Sequence, residues 1–440
     1  MLKAVKRTDR KKAQKKANVN EHYKPMILNR QSSIINHQSK AFSPEEYLLV
    51  LAARLEMNSN DAARMESILR EGPDWAEVKA SAHRSGVETL LYRHLSQQRY
   101  ARYVPDEVMH LLKESYRVQA IRSLRIYGQI SRILNSMNQA DVPIILLKGA
   151  FLAKWVYGDI ALRPMNDIDI LCRDKDTAAA QKILRGLGYE QKRNIAQSRF
   201  HEQVSLKKAS HLPPLLKHNA VRVEIHTNLF TRAPYKTHEM ERVWKKAIPC
   251  QLNSQDVYCL LPEHQILYLS FHLHKHLMSG SVILNWFCDI HEFVEHYSEK
   301  INWNQFQTIA ESLGIGSWVA ALYDLLIREW NTSIPKNVAP SLDADFIGLS
   351  LKSAIFGNRV STQLSFLPSR IQRLRDIGNE DGWGRSFYYV LRHLFPARSY
   401  IINRYNPRNQ RKMWGYYVFH LYWRFRHAVV SLFYNLKGLS

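Results

Sequence analysis

Cysteine is scarce: Cys172, Cys250, Cys259 and Cys288 are scattered through 440 residues with no C-x-x-C pair among them. That dispersal argues against a disulfide framework and fits a reducing, cytoplasmic interior. An apolar opening segment is also missing. The stretch from Lys3 to Lys12 is basic and lacks the hydrophobic run that export requires, so residues 1–42 read as a disordered basic tail. No repeat of fixed period runs through the chain, which excludes a solenoid. Carboxylates are absent from residues 385–440, where 10 Lys and Arg stand alone, and residues 1–40 hold 11 Lys and Arg against Asp9 and Glu21. The formal charge of +23 is therefore concentrated at the two ends, and any attraction to an anionic surface belongs to them. What is present is a 45% share of hydrophobic residues, enough to bury one large or two moderate cores.

Folded structure is expected from Ser43. Ser43-Pro44-Glu45-Glu46 places an N-cap serine, a proline at the first helical position and a glutamate at the third. Apolar residues then recur at spacings of three and four (Leu48, Ala52, Leu55; later Leu90, Leu91, Leu95; then Ile130, Ile133, Leu134), which predicts a helical region over 43–140. The period changes at Val142. Residues 143–147 form a short branched apolar run and predict a buried strand, followed by a helix from Ala150 to about Tyr157. Asp167 to Leu171 predicts a second strand, and residues 176–185 a helix closed by Gly186 and Gly188. Further strands are expected at 203–207 and 221–226. Helical spacing returns after 255, through Ile266, Leu267, Leu269 and Leu273 to Trp286, Ile290 and Phe293; residues 333–384 carry no clear pattern.

Strand side chains alternate faces, so Asp167 and Asp169 point the same way while Ile168 and Ile170 face the core. Two carboxylates this close repel unless a cation lies between them, and hard divalent ions take such oxygen ligands together with substrate phosphates. By itself the pair could equally be two surface aspartates on a solvated strand. Its neighbours reduce that alternative. Leu147-Lys148-Gly149-Ala150 joins strand to helix, so Gly149 lets backbone N–H groups approach a phosphate at the helix N-terminus and Lys148 adds a charge. Arg163 offers a planar fork for phosphate, or for a structural ion pair. In Val221-Arg222-Val223-Glu224-Ile225-His226 the apolar residues take one face, and Glu224 stands on the other as a candidate third ligand. Asp167, Asp169 and Glu224 are thus the candidate catalytic and metal-ligating residues, and Lys148, Gly149 and Arg163 the candidate nucleotide contacts. Two metals bridged by the aspartates could activate an attacking hydroxyl and stabilise a leaving pyrophosphate.

A glycine turn, a helix, a strand with Asp-x-Asp and a later strand with one acid, in that order, resemble the polymerase-β-type nucleotidyltransferase superfamily. Within it the chain is most similar to an uncharacterised bacterial nucleotidyltransferase family found near polysaccharide and peptide-modification genes. The resembling stretches are Leu146 to Ala150, Tyr157, Arg163-Pro164, Asp167 to Leu171, Gly188-Tyr189 and Val223 to His226. Asp74-Trp75, His83, His272, His276 and Asp289 also fit, so the likeness covers roughly residues 45–300. It implies that Asp167, Asp169 and Glu224 bind Mg²⁺ or Mn²⁺, and that Lys148 and Gly149 contact the nucleotide. The wider superfamily usually carries Gly-Ser where this chain has Lys148-Gly149-Ala150, so the serine contact to phosphate is absent.

Two other features have competing readings. His272 and His276 lie one helical turn apart, a spacing that can grip zinc, but no third ligand is apparent, and a packed or substrate-facing role is the better reading. The run from Met413 to Leu436 is long enough to span a bilayer, yet Arg424 and Arg426 near its middle would each cost about 2.5–3.5 kcal/mol there. Its aromatics and arginines suit either a membrane interface or packing on the protein's own surface. Nucleic acid could use the basic ends too, but no reader motif accompanies them.

The expectation is an α+β fold, with a polymerase-β-like nucleotidyltransferase core of mixed sheet and flanking helices set between mostly helical regions. Its segments are a basic tail (1–42), a helical region (43–140), the core (141–254), a second helical region (255–384) and a basic aromatic tail (385–440). The expected activity is metal-dependent transfer of a nucleoside monophosphate from an NTP to an unidentified acceptor. The cytoplasm is the expected place, with peripheral attachment to the anionic inner face of the membrane through the C-terminal tail. The alternatives are a catalytically silent nucleotide-binding accessory protein at the membrane surface and an RNA-end modifying enzyme.

Overall fold

The structure is a computed structural model that describes residues 42–191, 211–230, 237–279, 282–313, 315–335, 338, 355–356, 383–405 and 413–437. The tail expected over 1–42 (its last residue excepted), the strand expected at 203–207 and most of 333–384 lie outside these residues. The chain divides into two compact units: Met1–Val118 with Pro262–Leu273 and Val282–Gly357, and Gln119–Leu261 with His274–Ser281 and Asn358–Ser440.

In the first unit every described element is helical. Helix Pro44–Ala52 begins as its sequence dictates: the Ser43 hydroxyl accepts from the Glu46 N–H at 3.2 Å, and the Glu46 carboxylate accepts from the Ser43 N–H at 2.9 Å. Asn58 caps helix Ser59–Glu71 by accepting from the Asp61 N–H, and Asp74 caps helix Trp75–Ser85 by accepting from the Ala76 and Glu77 N–H groups. Leu48 to Ala52 are all buried, and the chain leaving this helix runs into a knot of buried polar groups. The Arg54 guanidinium donates to Asp61 at 2.7 Å and to the Glu329 carbonyl at 3.2 Å, and the Arg54 carbonyl meets His94 Nε2 at 2.7 Å. Leu55 N–H donates to Glu292 at 2.7 Å, and the Trp330 indole donates to the Val50 carbonyl at 3.0 Å. These bonds tie helices Glu88–Leu95, Leu284–Tyr297 and Gly316–Trp330 to one short loop.

The second unit is built on a mixed sheet of seven described strands: β1 (Ile145–Leu146), β2 (Asp167–Leu171), β3 (Glu190–Gln191), β4 (Leu215–Leu216), β5 (Arg222–His226), β6 (Ile248–Leu252) and β7 (Gln255–Cys259). Their order is β3-β4-β5-β2-β1-β7-β6. β2 runs parallel to β5 and antiparallel to β1, and β1 runs parallel to β7. β2 and β5 lie inside the sheet with neighbours on both sides, and Ile168, Ile170, Val223 and Ile225 are fully buried. The α+β core with flanking helices is thus as expected.

Details differ for local reasons. β1 is two residues long rather than five, because Pro143 has no N–H for a ladder, although Leu147 N–H still donates to the Asp169 carbonyl at 3.1 Å. The following helix starts at Lys148 rather than Ala150 (Lys148–Trp155), and the next spans Thr177–Gly186 after a short 3₁₀ turn. A hairpin absent from the expectation crosses the boundary placed at 254/255: Asn253 and Ser254, at φ +48° and +63°, form a two-residue turn between β6 and β7. The sheet therefore extends to Cys259. Toward the C-terminus, helices Trp383–Leu394, Arg398–Tyr405 and Met413–Lys437 pack on one another. The Tyr417 hydroxyl donates to the Pro396 carbonyl at 3.0 Å, and buried His420 meets the Tyr405 hydroxyl at 2.8 Å. Among the described residues no helix is long and apolar enough to cross a membrane.

Candidate active site

The register of the two inner strands sets the chemistry. Asp167 pairs with Arg222, Asp169 with Glu224 and Leu171 with His226. Paired residues on parallel neighbours share a face, so Asp167, Asp169, Glu224 and His226 all project from the side opposite Ile168, Ile170, Val223 and Ile225. Asp169 is 2% exposed and Glu224 9%, which puts two carboxylates side by side in a nearly dry place. One ligand atom from each of Asp169, Glu224 and His226 lies within 4.8 Å of the others, and among the described residues this is the group able to share an ion.

Cations surround these acids. Lys148 Nζ is 2.9 Å from Asp169 Oδ1 and His226 Nε2 is 2.7 Å from the same oxygen. A carboxylate only accepts, so His226 carries its proton on Nε2 and holds Asp169 in place. Arg222 bridges the other two acids, at 2.7 Å to Asp167 and 3.2 Å to Glu224. Burial alone would raise the Asp169 carboxyl, but Lys148 and His226 overcome it and hold the group well below the usual carboxylate range. Burial raises Glu224, and the neighbouring Asp169 charge adds to the rise. Burial lowers His226, against the opposing pull of its bond to Asp169.

The turn between β1 and its helix supplies the positive side. Lys148 sits at φ +45°, a left-handed conformation that disfavours a residue with a Cβ by about 1–2 kcal/mol. The Leu147–Asp169 backbone bond and the Lys148–Asp169 pair fix that turn against β2. At the next position, a Cβ on Gly149 would stand 3.0 Å from Met165 Cβ and 3.1 Å from Arg163 Nη1, so only glycine lets the Arg163 guanidinium lie against the helix start. Arg163 is 7% exposed and donates to the Pro164 carbonyl. The six residues singled out from sequence therefore fall on β2, β5 and the turn after β1, with the loop that leads into β2.

Sequence reasoning gave no role to three other groups here. His226 was visible on the acid face of its strand, two positions after Glu224, but its bond to Asp169 needs the register of β2 against β5. His211 reaches β5 through an isolated bridge to His226, with its ring 5.2 Å from the His226 ring and Nε2 3.9 Å from Glu224; no local pattern announces this. Lys275 is exposed, yet desolvation around its ammonium and the Lys148 charge lower its pKa, against the pull of Glu224 and Asp169. His276 is pushed down to about 4 by burial and by Lys275. His272 packs edge-on against Trp286 at 5.1 Å, and the group able to hold a metal among the described residues includes neither His272 nor His276.

A mixed sheet with flanking helices, two inner strands bearing acids on one face and a glycine turn before a helix are consistent with an α+β nucleotidyltransferase fold. The chain belongs to the family described as uncharacterised nucleotidyltransferase, whose pattern it matches over residues 71–328. Membership makes it a nucleotidyltransferase at the general level and implies an NTP as substrate. No curated protein and no solved structure matches the chain.

Proposed function

We propose that the second unit transfers a nucleoside monophosphate from an NTP to an acceptor hydroxyl with the aid of Mg²⁺ or Mn²⁺. The observation that carries this reading is the in-register pairing of Asp169 with Glu224, which sets two buried carboxylates on one face. The donor set suits such an ion: hard oxygens from Asp169 and Glu224, with Asp167 on the same face and His226 orienting Asp169. When bound, the ion supplies charge neutralisation for the phosphates and lowers the pKa of the attacking hydroxyl. Asp169 and Glu224, the carboxylates whose ligand atoms lie within 4.8 Å of each other, would hold it, with Asp167 beside them on the same face but paired to Arg222, while Lys148, Arg163 and the backbone beside Gly149 receive the phosphate oxygens. In the reaction the acceptor oxygen bonds to the α-phosphorus, the bond from that phosphorus to the bridging β-phosphate oxygen breaks, pyrophosphate leaves and the hydroxyl proton is released. The acceptor belongs, in this reading, to polysaccharide or peptide modification.

A second reading has an observation of its own. Lys148 and Arg222 already pair with Asp169 and Asp167, so two of the three carboxylates have a counter-charge without an ion. A catalytically silent protein that binds nucleotide would look like this. Incubation with α-labelled NTP, Mg²⁺ and a cell extract as acceptor source separates the two. The enzyme reading expects metal-dependent labelling that Asp169→Asn lowers by at least about 100-fold, a loss of several kcal/mol of transition-state stabilisation. Nucleotide binding without label transfer, or equal transfer by Asp169→Asn, would overturn it.

A further inference from the structure

Apolar side chains left in water are unevenly placed. Of the large hydrophobic residues that are exposed among the described ones, most lie between Trp383 and Phe425, although that segment is a small part of the chain. In helix Met413–Lys437 the inner face is satisfied, with His420 fully buried and bonded to Tyr405, and Tyr417 bonded to Pro396. Its outer face carries Trp414, Val418, Tyr422 and Phe425 at spacings of four, four and three, each at least 60% exposed. Helix Trp383–Leu394 repeats the pattern, with Trp383, Phe387 and Leu391 at spacings of four, all exposed. Each helix thus presents one continuous apolar stripe to solvent, the layout of an amphipathic helix that lies in an interface rather than across it.

Charge identifies the occupant. Residues 385–440 contain 10 Lys and Arg and no carboxylate. Arg404 stacks over Trp423 at 4.5 Å and Arg424 over the same ring at 5.3 Å, so cations and aromatics are interleaved at one level, as at a headgroup boundary. A second copy of this face would set one cationic surface against another, with no acid on either to relieve the repulsion.

We propose that these C-terminal helices seat the protein on an anionic lipid bilayer, with the Trp383 and Trp414 stripes entering the headgroup boundary and the arginines meeting lipid phosphates. The full chain, without NTP or metal, is sedimented with vesicles of phosphatidylcholine alone or with about 30% phosphatidylglycerol. Binding to the anionic vesicles alone is expected, falling about tenfold as salt rises from about 0.1 M to about 0.5 M. Trp414→Ala with Phe425→Ala is expected to lower the affinity by about tenfold or more while the circular dichroism melt is unchanged, since both side chains are exposed in the free protein. A paired Arg424→Glu and Arg426→Glu variant weakens binding in parallel. No vesicle binding, or equal binding to neutral vesicles, overturns the proposal. So does retention on random RNA in place of vesicles, or a dimer in velocity sedimentation that the Trp414 and Phe425 substitutions abolish. Because no nucleotide is present, this result stands apart from that of the transfer assay.

Discussion

Both units bury charge, with opposite balance. In the first, Arg54 meets Asp61, the Glu329 carbonyl and the Trp330 ring 5.9 Å beneath it, while Glu292 accepts the Leu55 N–H. These pairs join the chain just past helix Pro44–Ala52 to Asp61, Glu292 and Glu329, and the result is a fastening. In the second, three carboxylates share one face, and two of them raise each other's cost of ionising. Such crowding does nothing for the sheet, which β2 and β5 could build as well from threonine or valine. Buried charge arranged to close upon itself marks architecture; like charges gathered on one face mark a place kept for something else.

The largest test of that contrast is Arg54→Met. It leaves Asp61 with Asn58 and the longer 3.6 Å contact to Arg64, and is expected to lower stability by about 3–5 kcal/mol in urea unfolding with nucleotide binding per folded molecule unchanged. A loss under about 1 kcal/mol would erase the distinction between fastening and site.

Glu292 sharpens it through pH. Burial pushes its pKa up to about 7, above the unfolded value near 4.5, so the folded state holds this proton more tightly. The stability it lends is full below about pH 4.5 and is lost as pH rises through 7. His291, pushed down to about 3 by burial, acts in the other direction, losing its contribution as pH falls from about 6.5. Measuring Glu292→Gln against the unaltered chain cancels the histidine. The variant should gain, relative to the original, roughly 3 kcal/mol between pH 4.5 and 7 by chemical denaturation. A flat difference means that the carboxyl is not strained by its burial.

The smallest expected effect is Gly149→Ala. The added methyl collides with Arg163 and Met165, so KM for NTP should rise about tenfold, near 1.4 kcal/mol, with less change in the melting temperature than for Arg54→Met. An unchanged KM would detach Arg163 from the nucleotide.

How far the sequence could be read follows the range of the interactions. Capping at Ser43 and the two-residue alternation of Asp167 to Leu171 and Arg222 to His226 are local, and the fold keeps them. The hairpin at Asn253-Ser254 was equally local, but the common signal at such a turn is Asn-Gly, and serine at φ +63° hides it. The bond from His226 to Asp169 depends on the register of strands 55 residues apart in sequence by the Asp167–Arg222 pairing, and the approach of His211 on a bridge with no strand around it. The bond from Arg54 to the Glu329 carbonyl spans 275 residues and that from Trp330 to Val50 spans 280, out of reach of any windowed pattern.

Lys148 carries one more consequence. Glycine would take its left-handed turn without strain but would carry no ammonium to Asp169. Replacing Lys148 with glycine would relieve the turn and at the same time leave the buried Asp169 carboxylate with His226 alone, so the strain and the ion pair stand or fall together.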